Sequence, residues 1–481
     1  MTHSEVRRRG RRTWLPVLAC GLLATFDIGA EPLKVAPVVP TPVAVRAPPA
    51  APRREMPARP ARVQALQELM ERLGAPGARV DDPCVTPAED GGCARTALAP
   101  FFESLDALAA GTASGPVVIE AFGNSLIAGD RIVDILRDDL SLAFGSAGRG
   151  LLLVDRMAPY GGRTRTGVSA AGWQPRTLGE LRAPPLPFGI TGVYHVATTA
   201  KARGRFKLEG ESRGTLWWLD VPRGGALTVS SGGQVLARTE PSGDGTARAT
   251  HFELPAGATT VDVVAEEKGA VVQGVVLQHA RPGIVLDMLG VPSADAGLYA
   301  RMDDAILRSQ LAERAPRLLV FFLGGNESKR LEWKRVNLET VRADLKALLG
   351  RARLAAPGSA CMVVGPMDAV SDTRGASKTR TQRPFLEAVV TAEREVALAQ
   401  GCAFFDTYTA MGGKGSLMRF HASGFMHDDM VHPRGKGLDL LGHFVTDALL
   451  RAWVETPRPA GRVAAASTPP PPPTPTAEAT P

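Results

Sequence analysis

A strand-forming run that ends on glycine and passes directly into an amphipathic helix leaves this chain few choices of fold. Val117-Val-Ile-Glu-Ala-Phe-Gly123 is rich in β-formers. Asn124 and Ser125 follow at the turn, and Ile132, Ile135, Leu136, Leu140 and Ala143 then recur at helical spacing. Strand, sharp turn and helix form the repeating unit of α/β proteins. Ligands in open α/β sheets bind at the carboxyl ends of strands, so the Ser125 hydroxyl stands where chemistry can be done. A serine at such a turn is common, and by itself it does not define a site.

The same grammar returns later. Strands are expected at Ile284–Met288, Leu318–Leu323, Cys361–Gly365 and Ala403–Asp406. Helices are expected over Asp295–Leu311, Val336–Ala355, Thr379–Gln400 and Lys436–Val454, and an earlier one over Pro100–Leu108. Strands alternating with helices give a parallel sheet covered on both faces. From 155 to 281 the period changes. Short β-rich runs recur between turn residues, at Gly192–Ala197, Arg205–Glu209, Leu216–Val221, Ala226–Ser231, Gln234–Thr239, Ala247–Leu254, Thr260–Ala265 and Val271–Leu277. That spacing predicts an all-β sandwich or jelly roll inserted into the α/β part. Within it, Trp217-Trp218 on one strand places one ring inward and one outward. An outward ring could stack on a sugar, and Trp173 is a further candidate for substrate binding.

The ends read differently. Arg7 to Arg12 form a basic n-region, and Thr13 to Phe26 are mostly apolar but too short to span a membrane, so residues 1–30 are expected to be an export signal. Val17-Leu-Ala-Cys20 resembles a lipoprotein box, which would make the N-terminus a membrane tether. Residues 31–62 are rich in Pro, Ala and Val and read as a linker, and 456–481, with Pro469 to Pro473 unbroken, as a disordered tail. Between them the expected parts are 63–154 and 282–455, two pieces of one α/β domain, around the β-sandwich at 155–281. A net charge of +7 over 481 residues, without a basic cluster interleaved with aromatics, argues against nucleic-acid binding. In an exported protein Cys84 and Cys93 are expected to form a disulfide around a short loop. Cys361 and Cys402 read as buried apolar thiols, and no metal-ligand spacing is present.

Two further stretches give Ser125 a context. The strand at Leu318–Leu323 ends in Gly324-Gly-Asn326-Glu327, and His427-Asp-Asp429-Met-Val-His432-Pro-Arg-Gly435 comes near the end. A serine hydroxyl needs a base within hydrogen-bond reach and a third group to orient that base. His432 is the candidate base and Asp429 the candidate orienting carboxylate, with His427 and Asp428 as competitors by position. The serine, Gly-x-Asn and Asp-x-x-His blocks, in this order over roughly Val117–Val454, resemble those of the GDSL/SGNH hydrolases.

That resemblance implies a three-layer α/β/α sandwich and a Ser125–His432–Asp429 triad, with no cofactor and no metal. It implies an oxyanion hole from the N–H of Ser125, the Asn326 amide and a backbone N–H of Gly290-Val-Pro-Ser293, most directly Ser293, with Gly290 as the alternative. The family spacing favours Asp429 over Asp428. Two positions depart from the pattern: Asn124 stands where aspartate is usual, and so does Glu327. The inserted β-domain makes the chain look like the peptidoglycan O-acetylesterases of the superfamily. The function so implied is an exported serine esterase that removes O-acyl groups from a cell-envelope polysaccharide. An O-acetyltransferase with the same triad and a non-catalytic carbohydrate-binding protein are the alternatives. No protein partner can be inferred.

Overall fold

The computed structural model describes residues 54–58, 61–89, 91–157, 168–180, 185–371 and 380–457. The expected export signal, Cys20, most of the linker and the tail beyond 457 lie outside the described residues.

Six strands make the central sheet: β1 (Val80–Asp81), β2 (Pro116–Gly123), β3 (Gly283–Gly290), β4 (Leu318–Phe322), β5 (Ala360–Val364) and β6 (Ala403–Phe405). Their order across the sheet is β1-β6-β5-β4-β2-β3. All neighbours run parallel except β1, which pairs antiparallel with β6. Side chains alternate faces along a strand, and here both faces are covered, which is why Leu318-Leu-Val-Phe-Phe322 is apolar without a break. Leu318, Val320 and Phe322 enter one core, with Phe101, Phe102, Leu136, Leu140 and Leu449 from helices Ala99–Ala109, Arg131–Phe144 and Lys436–Glu455. Leu319 and Phe321 enter the opposite core, with Leu307, Leu345 and Val390 from helices Asp304–Arg314, Leu338–Ala355 and Leu386–Ala399. The architecture is the α/β/α sandwich expected from the sequence.

The β-rich region forms two packed antiparallel sheets. One runs in the order Ala247–Glu253, Arg213–Leu219, Val271–Gln278, Val193–Ala197, Trp173–Thr177, with Gly150–Leu152 also beside Val271–Gln278. The other runs Gln234–Arg238, Leu227–Ser231, Thr260–Ala265, Arg203–Lys207, Val168–Ala171. All eight strands expected there are present, and Gly150–Leu152, Val168–Ala171 and Trp173–Thr177 are additional. The tryptophan expectation is corrected. Trp218 lies in the core between the two sheets, while Trp217 faces the other way and is buried against the α/β part. There its Nε1 donates to Glu313 Oε2 at 2.8 Å. Alternation does send the rings to opposite faces, but both faces of this sheet are covered. Trp173 is buried in the sandwich core as well. None of the three offers a sugar-stacking face.

Three other readings change. Cys361 and Cys402 are joined in a disulfide, as are Cys84 and Cys93. Met362 pairs with Ala403 in the parallel register of β5 and β6, so the residues just before them sit side by side. The sequence shows two strand starts but not that those strands are neighbours. Arg54, in the segment read as linker, is buried. It pairs with Asp106 at 2.7 Å, lies 5.5 Å over the Trp453 ring and donates to the carbonyls of Trp453 and Thr456. The helix expected from Thr379 starts only at Leu386, because Pro384 lacks an N–H and Phe385 adopts a left-handed backbone at φ +64°.

Candidate active site

Strand β2 ends at Gly123, and the chain turns at Asn124 into a one-turn helix, Ser125–Ala128. Asn124 Oδ1 accepts the Leu126 N–H at 3.0 Å. The position therefore needs a capping oxygen, which asparagine supplies as well as aspartate does. The first N–H groups of a helix have no acceptor within it, which leaves the Ser125 N–H directed out of the turn. Close packing holds this elbow. A Cβ on Gly290, at the end of β3, would fall 2.2 Å from Ala128 N. Gly290 is thus a packing residue, and its own N–H faces Met288 Sδ at 3.3 Å. Tyr299 locks the same corner from below. Its fully buried hydroxyl accepts the Gly123 N–H at 3.0 Å and lies 2.7 and 2.9 Å from the carbonyl oxygens of Gly123 and Leu289. Burial pushes that phenol well above its usual range. Nothing in the sequence singled out Tyr299, because its role depends on a partner 176 residues away.

The loop before helix Lys436–Glu455 brings the candidate base, His432, to the serine. Ser125 Oγ lies 2.9 Å from His432 Nε2, and His432 Nδ1 lies 2.7 Å from Asp429 Oδ2. Asp429 Oδ1 also accepts the backbone N–H groups of Val431 and His432, at 2.9 and 3.0 Å. Partial burial would raise the Asp429 carboxyl. The hydrogen bond from the His432 ring and the two N–H bonds outweigh it, and the pKa lies below the usual carboxylate range. Asp428 is 99% exposed and lies 3.6 Å from His421, and the described contact of His427 to this loop is a backbone one. Neither competes for Ser125.

Asn326 and Ser125 line the same cavity. One N–H of the Asn326 amide is fixed on the Ala294 carbonyl at 2.7 Å, which leaves the second for a ligand. Ser293 is not among the residues lining that cavity, and it joins the site through this Ala294–Asn326 bond. Its backbone is left-handed, φ +63°, a conformation natural to glycine and strained for a residue with a side chain.

Glu327, the second departure, has a clear job. It is buried, and its Oε1 accepts the Ala296 N–H at 2.9 Å while Oε2 accepts the Gly324 N–H at 2.8 Å. It thus ties the Ser293 loop to the Asn326 turn. Burial first, and the charge of Asp295 second, push its carboxyl up to about 7 despite those N–H donors. Gly324, at φ +90°, is required there, since a Cβ would meet Pro366 and the buried Glu393 carboxyl.

The cavity beside Ser125 has a free volume of about 100 Å³. Its wall is mostly apolar, with Ile132, Phe322, Val364, Met367, Leu441 and Val445. Lys329, which the sequence reading passed over, lines it as well. Among the described residues no three His, Cys, Asp or Glu side chains are grouped to hold a metal ion.

A family model described as GDSL-like lipase/acylhydrolase matches residues 258–440. A solved peptidoglycan O-acetylesterase shares the fold with a TM-score of 0.63 at 20% identity, over 74% of this chain and 97% of that one. The chain belongs to the GDSL/SGNH hydrolase superfamily. Its enzyme class is that of the SGNH esterases. The family match begins inside the β-domain and so leaves out the serine block. In this superfamily member, parallel pairing of β2 between β3 and β4 brings that block to the others. An acetyl xylan esterase aligns over 36% of this chain and 81% of its own at 14% identity, with a TM-score of 0.26. A carbohydrate-binding module from Cellvibrio mixtus lichenase 5A aligns over 24% and 91% at 13% identity, with a TM-score of 0.17. No curated protein sequence matches the chain.

Proposed function

We propose that this SGNH esterase is exported and removes O-acyl groups, O-acetyl above all, from a cell-envelope polysaccharide such as peptidoglycan. The observation that carries the reading is the unbroken Ser125–His432–Asp429 hydrogen-bond chain opening on a small apolar cavity. In this mechanism Ser125 Oγ attacks the ester carbonyl and His432 Nε2 takes its proton. Asp429 holds the ring with Nδ1 protonated and stabilises the imidazolium. The Ser125 N–H and the free Asn326 N–H receive the oxyanion. His432 then protonates the departing sugar oxygen, and a water molecule activated by the same histidine releases the acid.

Cavity size supports a short acyl group. A space of about 100 Å³ is well below the roughly 300–1,000 Å³ of sites that enclose larger ligands, so it favours acetyl over a lipid chain. The two disulfides fit an oxidising compartment, in line with the basic and apolar N-terminal segment. Peptidoglycan is named because the shared fold, catalytic sheet and β-domain together, extends over nearly all of an enzyme that acts on it.

The test is acetate release from O-acetylated peptidoglycan by wild type, Ser125→Ala and His432→Ala. Release by wild type alone is expected. Equal release by Ser125→Ala would overturn the nucleophile assignment.

A further inference from the structure

A second cavity, with a free volume of about 580 Å³, adjoins the catalytic one. The two share Ala369 and Arg383 in their walls. Arg383 is buried, and its guanidinium donates to the Gly325 carbonyl at 3.1 Å, one residue from Asn326. A ligand filling the second cavity therefore lies against the wall of the first.

The lining of this second cavity is unusual in three ways. Phe385 is 58% exposed and is the one exposed large aromatic among the described residues, and Met418, 38% exposed, lines the same cavity. Phe385 also holds a left-handed backbone, φ +64° and ψ 3°, as the residue before helix Leu386–Ala399. Glycine or asparagine would adopt that conformation with less strain, and either would spare the exposed ring. A site that keeps a phenylalanine against both costs needs its face. Third, two cations of the lining stand outside any described ion pair. Asp368 is buried and accepts the Leu417 N–H at 3.0 Å, and Glu387 accepts the Tyr408 hydroxyl at 2.7 Å. Arg380 and Lys414 are exposed and have no carboxylate partner among the described residues. Two exposed cations are therefore open to an anionic ligand.

An aromatic face beside free cations suits a sugar ring that carries a carboxylate. The ring's C–H face stacks on the phenyl group, and the cations take the anion. We propose that this cavity is a subsite for an anionic glycan unit next to the esterified sugar, with Phe385 as the platform and Arg380 and Lys414 as the carboxylate partners. The proposal rests on the polysaccharide reading above and extends it to the recognition of the polymer's charge.

The experiment compares two substrates: O-acetylated peptidoglycan fragments and 4-nitrophenyl acetate, which is too small to reach the second cavity. Phe385→Asn keeps the left-handed backbone and removes the ring. It is expected to lower kcat/KM on the fragments about tenfold, through KM. Arg380→Gln/Lys414→Gln is expected to lower it about three- to tenfold. Both variants should match wild type on 4-nitrophenyl acetate. Amidating the carboxylates of the fragments should bring wild type down to the level of the Arg380→Gln/Lys414→Gln variant and leave that variant unchanged. If wild type deacetylates the fragments and neither variant changes KM, the subsite is wrong and the functional reading stands. An equal loss on both substrates also overturns the subsite, since it puts these residues in the fold. If wild type hydrolyses 4-nitrophenyl acetate but releases no acetate from the fragments, the polysaccharide reading and the subsite fall together.

Discussion

Glu327→Gln isolates the carboxyl that ties two parts of the site together. In the folded protein its pKa is raised to about 7 from an ordinary value of 4.5, chiefly by burial. A raised pKa means that the folded state holds its proton longer than the unfolded state. Stability from this group is therefore complete below about pH 4.5 and is lost as pH rises through about 7. A gap of this size corresponds to about 3 kcal/mol, undiscounted for solvent because the carboxyl is fully buried. Glutamine cannot titrate, but it cannot accept from both Ala296 and Gly324 either, since one arm of its amide is a donor. The variant should be less stable than wild type at pH 4.5, by about 1–3 kcal/mol for one buried N–H left unmet. The deficit should shrink or reverse by pH 8 as wild type loses its advantage. Urea unfolding of both proteins at half-unit steps from pH 4.5 to 8 reads the difference, in which carboxyls remote from Glu327 cancel while Asp295 and Glu393, which interact with its charge, contribute with it. A wild-type-minus-variant difference that stays flat across that range would refute the reasoning, because Glu327 would then ionise alike in both states.

Three other outcomes are expected. Asp429→Asn removes the acceptor that fixes the His432 tautomer. It should lower kcat by about 1,000- to 10,000-fold with KM little changed, as measured on 4-nitrophenyl acetate. Asn326→Ala removes the proposed oxyanion donor and should lower kcat by about 100- to 1,000-fold in the same assay, while urea unfolding shows a much smaller loss. The Cys361→Ala/Cys402→Ala variant opens a loop of sequence separation 41 and should lose about 4 kcal/mol by urea unfolding on the chain-entropy account, with kcat on 4-nitrophenyl acetate unchanged at temperatures where it stays folded.

Much of this molecule is written locally. The unbroken apolar run of β4, the elbow after Gly123 and the eight alternating strands of the β-domain depend on near neighbours in the chain. Their existence and type follow from period and turn chemistry. Ser125 drew notice by its place at a strand end, and Asn326, Asp429 and His432 through blocks that resemble those of the GDSL/SGNH hydrolases; the hydrogen bonds of the Asp-x-x-His turn span only three residues.

What the sequence withheld is everything set by contacts between distant segments. Whether a tryptophan on a two-faced strand meets solvent depends on what covers the second face, and here the α/β part covers it. Whether two cysteines pair depends on which strands are neighbours. Tyr299 under the elbow, Glu327 between two loops and Phe385 beside the catalytic wall carry no local signature. A side chain's partner, burial and charge state are properties of the packed interior. Period and propensity fix the elements, and only tertiary packing decides which faces remain free for a ligand.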